Sequence, residues 1–165
     1  MRRAIRAAQL SSDEANAALD RWLHAHPLVR TLAVYSALPG EVDFSAITQF
    51  RRDLRWVYPR ICGDSLTFHV VPNSLTGFVP GTLGVKEPGP ECPEIAIGEI
   101  DAFICPGLAF DDNGGRLGRG RGFYDRILVK ARADALKVGA CFNLQRVKDT
   151  FTEAHDVRMD HVIIG

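Results

Sequence analysis

The chain predicts an α/β fold with three layers, a mostly parallel sheet with helices on both faces. Two observations lead there. Short, nearly unbroken apolar runs recur along the chain, as in strands buried on both faces. Segments with apolar residues at helical spacing fall between those runs, the alternation expected of a parallel sheet crossed by helices. The length of 165 residues suits a single domain over 1–165, large enough to bury its own core.

In chain order, Ser11 and Glu14 have capping-box spacing. Ala15, Ala18, Leu19, Trp22 and Leu23 then recur at helical period, ending before Pro27. Thr31–Leu38 reads as a buried strand closed by Pro39-Gly40. Asp43 is placed to cap a second helix with Phe44, Ile47, Phe50 and Leu54 on one face. Arg55–Ile61 and Leu66–Val71 read as strands, with Gly63-Asp64 as the turn between them. Asn73–Pro93 is rich in Gly and Pro, shows no period and reads as a long loop placed to cover a site. Ile100–Cys105 is a strand, and Tyr124, Ile127, Leu128, Ala131 and Ala135 share one face of a further helix. Lys137–Phe142 and His161–Ile164 are the last strands.

Composition narrows the function. Lys plus Arg equals Asp plus Glu at 20 each, so net charge is zero, which argues against bulk attraction to nucleic acid or an acidic membrane. No apolar segment approaches the length needed to span a bilayer. The basic start lacks the apolar core of a secretory signal and continues into helical patterning. Cys62, Cys92, Cys105 and Cys141 are widely spaced with no CxxC pair. That speaks against a cysteine zinc site or a disulfide framework and suits the reducing cytoplasm. Cys105 and Cys141 read as core residues.

The most informative stretch is Pro106–Arg126, in which Gly118, Gly120 and Gly122 alternate with Arg119 and Arg121. Glycine lets backbone N–H groups approach an anion closely. A following helix adds its positive end, and Arg116, Arg119 and Arg121 add forked cationic donors suited to phosphate. Taken alone, the spacing fits a polyphosphate cradle and an ordinary surface turn about equally. An arginine–glycine RNA-binding tract fits poorly, because this one is short and lies between ordered patterns. Asp125, in the first turn of the expected helix, suits either Mg²⁺ beside a triphosphate or simple complementation of the helix dipole. Asp156 and Asp160 offer a second metal carboxylate or plain turn residues. Glu41 follows the first strand, where α/β sheets bind ligands, and serves there either to recognise a polar ligand such as a pterin or as a loop residue. No Ser–His–Asp or Cys–His arrangement suggests a covalent nucleophile.

With these residues in view, the chain resembles the 5-formyltetrahydrofolate cyclo-ligase family. The resemblance rests on PGLAFD at Pro106–Asp111 and on G-x-R-L-G-R-G-x-G-x-Y-D at Gly114–Asp125. Weaker matches are Tyr35 with Glu41-Val42-Asp43, Tyr58-Pro59-Arg60, Gly84–Pro88, Gly139–Gln145 and His155–Asp160. It implies ATP- and Mg²⁺-dependent closure of 5-formyltetrahydrofolate to 5,10-methenyltetrahydrofolate, releasing ADP and phosphate. It also implies a fold like that of sugar-phosphate isomerases and CoA-transferases. In the family's mechanism the formyl oxygen attacks the γ-phosphate, N10 closes the ring and phosphate leaves. The protein's part is alignment and charge stabilisation, in which Arg119 and Arg121 are the catalytic candidates.

Carried over by position, the resemblance gives ATP the residues Arg2, Arg6, Arg116, Leu117, Gly118, Arg119, Gly120, Arg121, Gly122, Phe123 and Tyr124. It gives the folate Arg6, Ser36, Glu41, Arg119, Gly120, Arg121, Gly122 and Phe123, and it gives Mg²⁺ Asp125 and Asp156. The implied partners are a reduced folate and ATP, with no nucleic acid or membrane, in a monomer or weak homodimer. The competing reading is a cyclo-ligase-like paralogue that binds ATP in another pathway, such as a thiamin-linked one. Arg2 stands where the family usually has Lys, Phe123 where Tyr is common, and Arg121 where Gly or Lys is frequent.

Overall fold

The computed structural model describes residues 10–71 and 77–165. A seven-stranded sheet carries the architecture, in the order β11-β10-β7-β1-β2-β3-β6. Its strands are β1 (Thr31–Ala33), β2 (Arg55–Cys62), β3 (Ser65–Val70), β6 (Glu94–Ile95), β7 (Ala102–Pro106), β10 (Leu136–Cys141) and β11 (His161–Ile164). From β11 through β2 all neighbours pair in parallel, whereas β2–β3 and β3–β6 are antiparallel. The sheet is therefore mixed, with the expected parallel core. The antiparallel β2–β3 pairing follows from the Gly63-Asp64 turn, since so short a connection can only reverse the chain. Gly63 takes the left-handed conformation there, at φ 59°.

The parallel strands are buried on both faces. On one face Leu32, Val34, Trp56, Tyr58, Ile104, Val138 and Ile163 pack with Ala15, Leu19, Trp22 and Leu23 of helix α1 (Asp13–Ala25). Phe44 and Ile47, at helix α2 (Ser45–Phe50), join the same core. On the other face Ala33, Val57, Phe103, Cys105 and Cys141 pack with Ile127 and Leu128 of helix α3 (Phe123–Leu128). Alternate residues of one strand thus serve opposite cores, which is why these runs read as continuous rather than alternating. Cys105 and Cys141 are buried as expected.

Several local expectations are corrected. The Ser11–Glu14 capping box does not form. Ser12 is the N-cap and makes no side-chain cap. Its Oγ instead accepts from the Asp43 N–H at 2.9 Å, tying α1 to the entry of α2. The N-cap of α2 is Phe44, not Asp43, and it makes no side-chain cap, although Asp43 Oδ1 accepts from the Ser45 N–H at 2.8 Å. Phe50 is 80% exposed rather than part of the buried face, because α2 ends there. Hydrogen-bonded strand in the first run covers only Thr31–Ala33, although the Val34 N–H still donates to the Val57 carbonyl.

The Asn73–Pro93 segment is not structureless among its described residues. It holds a hairpin of β4 (Phe78–Pro80) and β5 (Lys86–Pro88). Arg60 of β2 anchors this hairpin by donating to the carbonyls of Pro88 and Gly89. A second small hairpin, β8 (Ala109–Phe110) with β9 (Arg116–Leu117), lies between β7 and the glycine–arginine loop. Helix α3 stops at Leu128, so Ala131 and Ala135 lie beyond it. No helix among the described residues is long and apolar enough to cross a membrane.

Candidate active site

A cleft of about 340 Å³ opens beyond the carboxyl ends of β1 and β7, where parallel sheets present their loops. Tyr35, Ser36, Leu38 and Glu41 line it from the turn after β1. Arg116, Gly118, Arg119, Arg121, Gly122, Phe123, Tyr124 and Asp125 line it from the glycine loop and α3. Pro59, Ile61 and Leu66 supply an apolar floor from β2 and β3, and Val85 and Glu87 come from the β4–β5 hairpin. The structure thus brings the two main expected segments, around Glu41 and around Arg119, into one cavity.

The loop's course depends on glycine. Gly120 has φ 83° and Gly122 has φ 62°, conformations that carry a penalty for other residues. A Cβ on Gly122 would lie 2.9 Å from Arg126 Nη1. Gly122 is also the N-cap of α3. That helix has only six residues, so its positive end adds less than expected and the arginines carry most of the charge.

The three arginines differ in environment. Arg116 has only 4% of its side chain exposed and is ion-paired through Nη2 to Asp125 Oδ1 at 2.8 Å. Its Nη1 donates to the Pro106 carbonyl at 3.3 Å, while its Nε has no hydrogen-bond partner among the described residues. The guanidinium carbon also sits 5.5 Å from the centroid of the Tyr124 ring. Arg119 reaches across the cleft, its Nη2 and Nε donating to Glu41 Oε1 at 2.7 and 3.1 Å. Glu41 is the buried partner, with 7% of its side chain exposed against 37% for Arg119. Its Oε2 accepts from the Leu38 N–H at 3.0 Å. Arg121 is exposed and makes no side-chain hydrogen bond among the described residues.

Burial holds the hydroxyls of Tyr35 and Tyr124 well above the usual phenol range, so both stay protonated at neutral pH. Burial likewise pushes the Cys105 thiol up to about 12, which leaves it inert.

Asp125 sits in the first turn of α3, as expected, but its Oδ1 is engaged by Arg116 and lies 3.5 Å from the Val157 N–H. That contact places the Asp156–Val157 peptide beside Asp125. The Asp156 carboxylate turns to its own loop, where Oδ2 accepts from the Glu153 N–H at 2.8 Å. Asp160 accepts from the Lys137 N–H at 2.7 Å and is a strand-entry residue. Among the described residues no three His, Cys, Asp or Glu side chains gather as a metal cage. Arg2 and Arg6 lie outside the described residues.

Two wall residues entered the sequence analysis only within family matches, with no role in the site. Glu87 is buried, with Oε1 accepting from the Thr82 N–H at 3.3 Å, and it lay inside the segment read as loop. Tyr35 is buried beside Glu41, just after β1. Asp111, the last residue of PGLAFD, is a scaffold group. It accepts from the N–H groups of Asn113, Gly115 and Thr150 and from the Thr150 hydroxyl, joining the β8–β9 hairpin to the loop that leads to Asp156.

The model of the 5-formyltetrahydrofolate cyclo-ligase family matches residues 3–165, nearly the whole chain. The chain belongs to this family. A 5-formyltetrahydrofolate cyclo-ligase of Escherichia coli is 31% identical over 144 residues, covering 82% of this chain and 78% of that one. One from Mycolicibacterium smegmatis is 43% identical over 90 residues, an alignment spanning 51% of this chain and 46% of the relative. The solved structure of Aquifex aeolicus 5,10-methenyltetrahydrofolate synthetase superposes with a TM-score of 0.79 at 26% identity, covering 99% of this chain and 87% of that one. A 5,10-methenyltetrahydrofolate synthetase from Mycoplasma pneumoniae shares the fold, with a TM-score of 0.81 at 24% identity over 98% and 92% of the two chains. The cyclo-ligase family assignment and the convergence of its motif segments on one cleft thus agree.

Proposed function

We propose that this cyclo-ligase family member closes 5-formyltetrahydrofolate to 5,10-methenyltetrahydrofolate at the expense of ATP, releasing ADP and phosphate. The observation that carries the reading is the meeting of the Arg116–Tyr124 loop with Glu41 in one cleft. One side offers glycine backbone and cationic forks, the chemistry of a triphosphate site. The other offers a buried carboxylate that accepts hydrogen bonds, the chemistry that recognises a pterin's N–H groups.

Arg119 and Arg121 stabilise charge on the transferring phosphoryl group, and Arg116 braces the loop from below. Phe123 and Ser36 border the folate side. Arg2 and Arg6 complete the ATP and folate contacts in this reading. Mg²⁺, held by Asp125 and Asp156, would neutralise phosphate oxygens. Asp125 suits that role because its Oδ2 makes no hydrogen bond among the described residues. The chain's own work is to align the formyl oxygen with the terminal phosphoryl group and to exclude water, since misalignment leaves only slow hydrolysis.

The parallel core of the sheet supports a place among sugar-phosphate isomerase-like folds. The two cores share one sheet, which supports a single domain, and in this reading it acts as a monomer or weak homodimer. Four free thiols suit a cytoplasmic setting.

A coupled assay tests the reaction. ADP release must depend on 5-formyltetrahydrofolate and run in step with rising methenyl absorbance. Folded protein that binds nucleotide without folate-dependent turnover points to a paralogue in another pathway.

A further inference from the structure

On the reading proposed above the cleft takes a reduced folate, and Tyr35 in its wall has no assigned role. Tyr35 follows β1 directly and is 6% exposed. Its ring stands edge-to-face against Phe44, with centroids 6.1 Å apart and planes at 78°. The core therefore holds the ring in place. Its hydroxyl is nevertheless buried with no hydrogen-bond partner among the described residues. Buried phenols ordinarily find a partner, and one left unpaired carries a standing desolvation cost that an arriving acceptor relieves.

Glu41 belongs to the same wall. Its carboxylate only accepts hydrogen bonds. Burial, and after it the Glu41 charge, keeps Tyr35 protonated, so the hydroxyl has a proton to donate. A donor and an acceptor in one wall complement a lactam edge, where C=O adjoins N–H. The pterin ring carries such an edge at C4 and N3, whereas a triphosphate offers acceptors alone.

We propose that Tyr35 orients the substrate: its hydroxyl donates to the C4 carbonyl of the bound folate while Glu41 accepts from the adjoining N–H groups. Two contacts fix the ring's rotation, which one contact leaves free, and so direct the N5 formyl group toward the Arg119–Gly122 loop.

The test is Tyr35→Phe in the full chain, a change that keeps the ring and removes only the oxygen. Calorimetric affinity for 5-formyltetrahydrofolate should fall about tenfold, with a matching rise in KM. Affinity for a non-hydrolysable ATP analogue should be unchanged, and the melting temperature of the unliganded variant should equal or exceed that of the parent. A purely structural role predicts the reverse, lower melting temperature with unaltered folate affinity. Folate affinity within twofold of the parent overturns the proposal, as does an equal loss of nucleotide affinity. If the parent binds folate but does not turn it over, the proposed reaction fails, and the binding comparison still decides the role of Tyr35.

Discussion

Asp125 and Arg116 show how one residue pair serves two demands. Arg116 is a cation with 4% of its side chain exposed, and Asp125 is its ion-pair partner at 2.8 Å. Removing one member of such a pair leaves a buried charge uncompensated. Asp125→Ala should therefore abolish Mg²⁺-dependent turnover and also lower stability by about 3 kcal/mol. Magnesium titration and a urea melt on the same variant check both parts. Loss of turnover with no loss of stability would mean that the ion pair contributes little. Arg119 is different, because at 37% exposure it spends itself on a partner across the cleft rather than on the core. Arg119→Ala should lower kcat/KM about 100-fold, in the range for losing one charge-stabilising donor. Lys130→Ala should have little effect, since Lys130 is exposed beyond α3. Steady-state kinetics of the two variants make the comparison.

Among elements, the turn after β1 and the loop before α3 are joined by the Glu41–Arg119 pair. In the proposed reaction Glu41 serves the folate, whereas Arg119 also serves the ATP. While they hold each other, neither is fully available. A ligand that draws one away releases the other, so the two ligands should favour each other's binding. Glu41→Gln weakens the competing partner and should tighten binding of a non-hydrolysable ATP analogue about fivefold in the absence of folate. Calorimetry reads this directly, and unchanged or weaker nucleotide binding would show that the pair does not restrain Arg119. The elements themselves were largely legible in the sequence. β11 matches its expected span, and β2, β3 and β10 differ by a residue or two at their ends. Long apolar runs in a sheet covered on both faces leave little ambiguity. The β4–β5 and β8–β9 hairpins were missed, because strands of two or three residues are too short to show a period.

At the scale of the molecule, Asp111 ties the hairpin below the cationic loop to the segment carrying Asp156. Burial alone would raise its carboxyl, but the Thr150 hydroxyl and the N–H groups of Gly115, Thr150 and Asn113 outweigh that and hold it at about 2, against an ordinary 3.8. The folded state thus binds the proton less readily than the unfolded chain. Its contribution to stability is whole above about pH 5 and is lost as pH falls through about 2. The urea midpoint of the parent should exceed that of Asp111→Asn at neutral pH, and the gap should close in acid. A gap that persists at pH 2 would assign the effect to packing rather than charge.

The amino-acid order alone determined the α/β class, the strands of the parallel core and the cationic glycine loop. Each depends on spacing within a few residues, and spacing decides which side chains leave water. Only the tertiary structure decided which groups answer one another. Glu41 and Arg119 are 78 residues apart in the chain, Asp111 and Thr150 are 39 apart, and the Tyr35 hydroxyl is left without a mate. Those relations arise from strand order, which places β1 beside β7 at the centre of the sheet and brings their carboxyl ends to one cleft. Local periodicity carries no information about which strands become neighbours, so the chemistry of the cleft emerges only once the sheet is assembled.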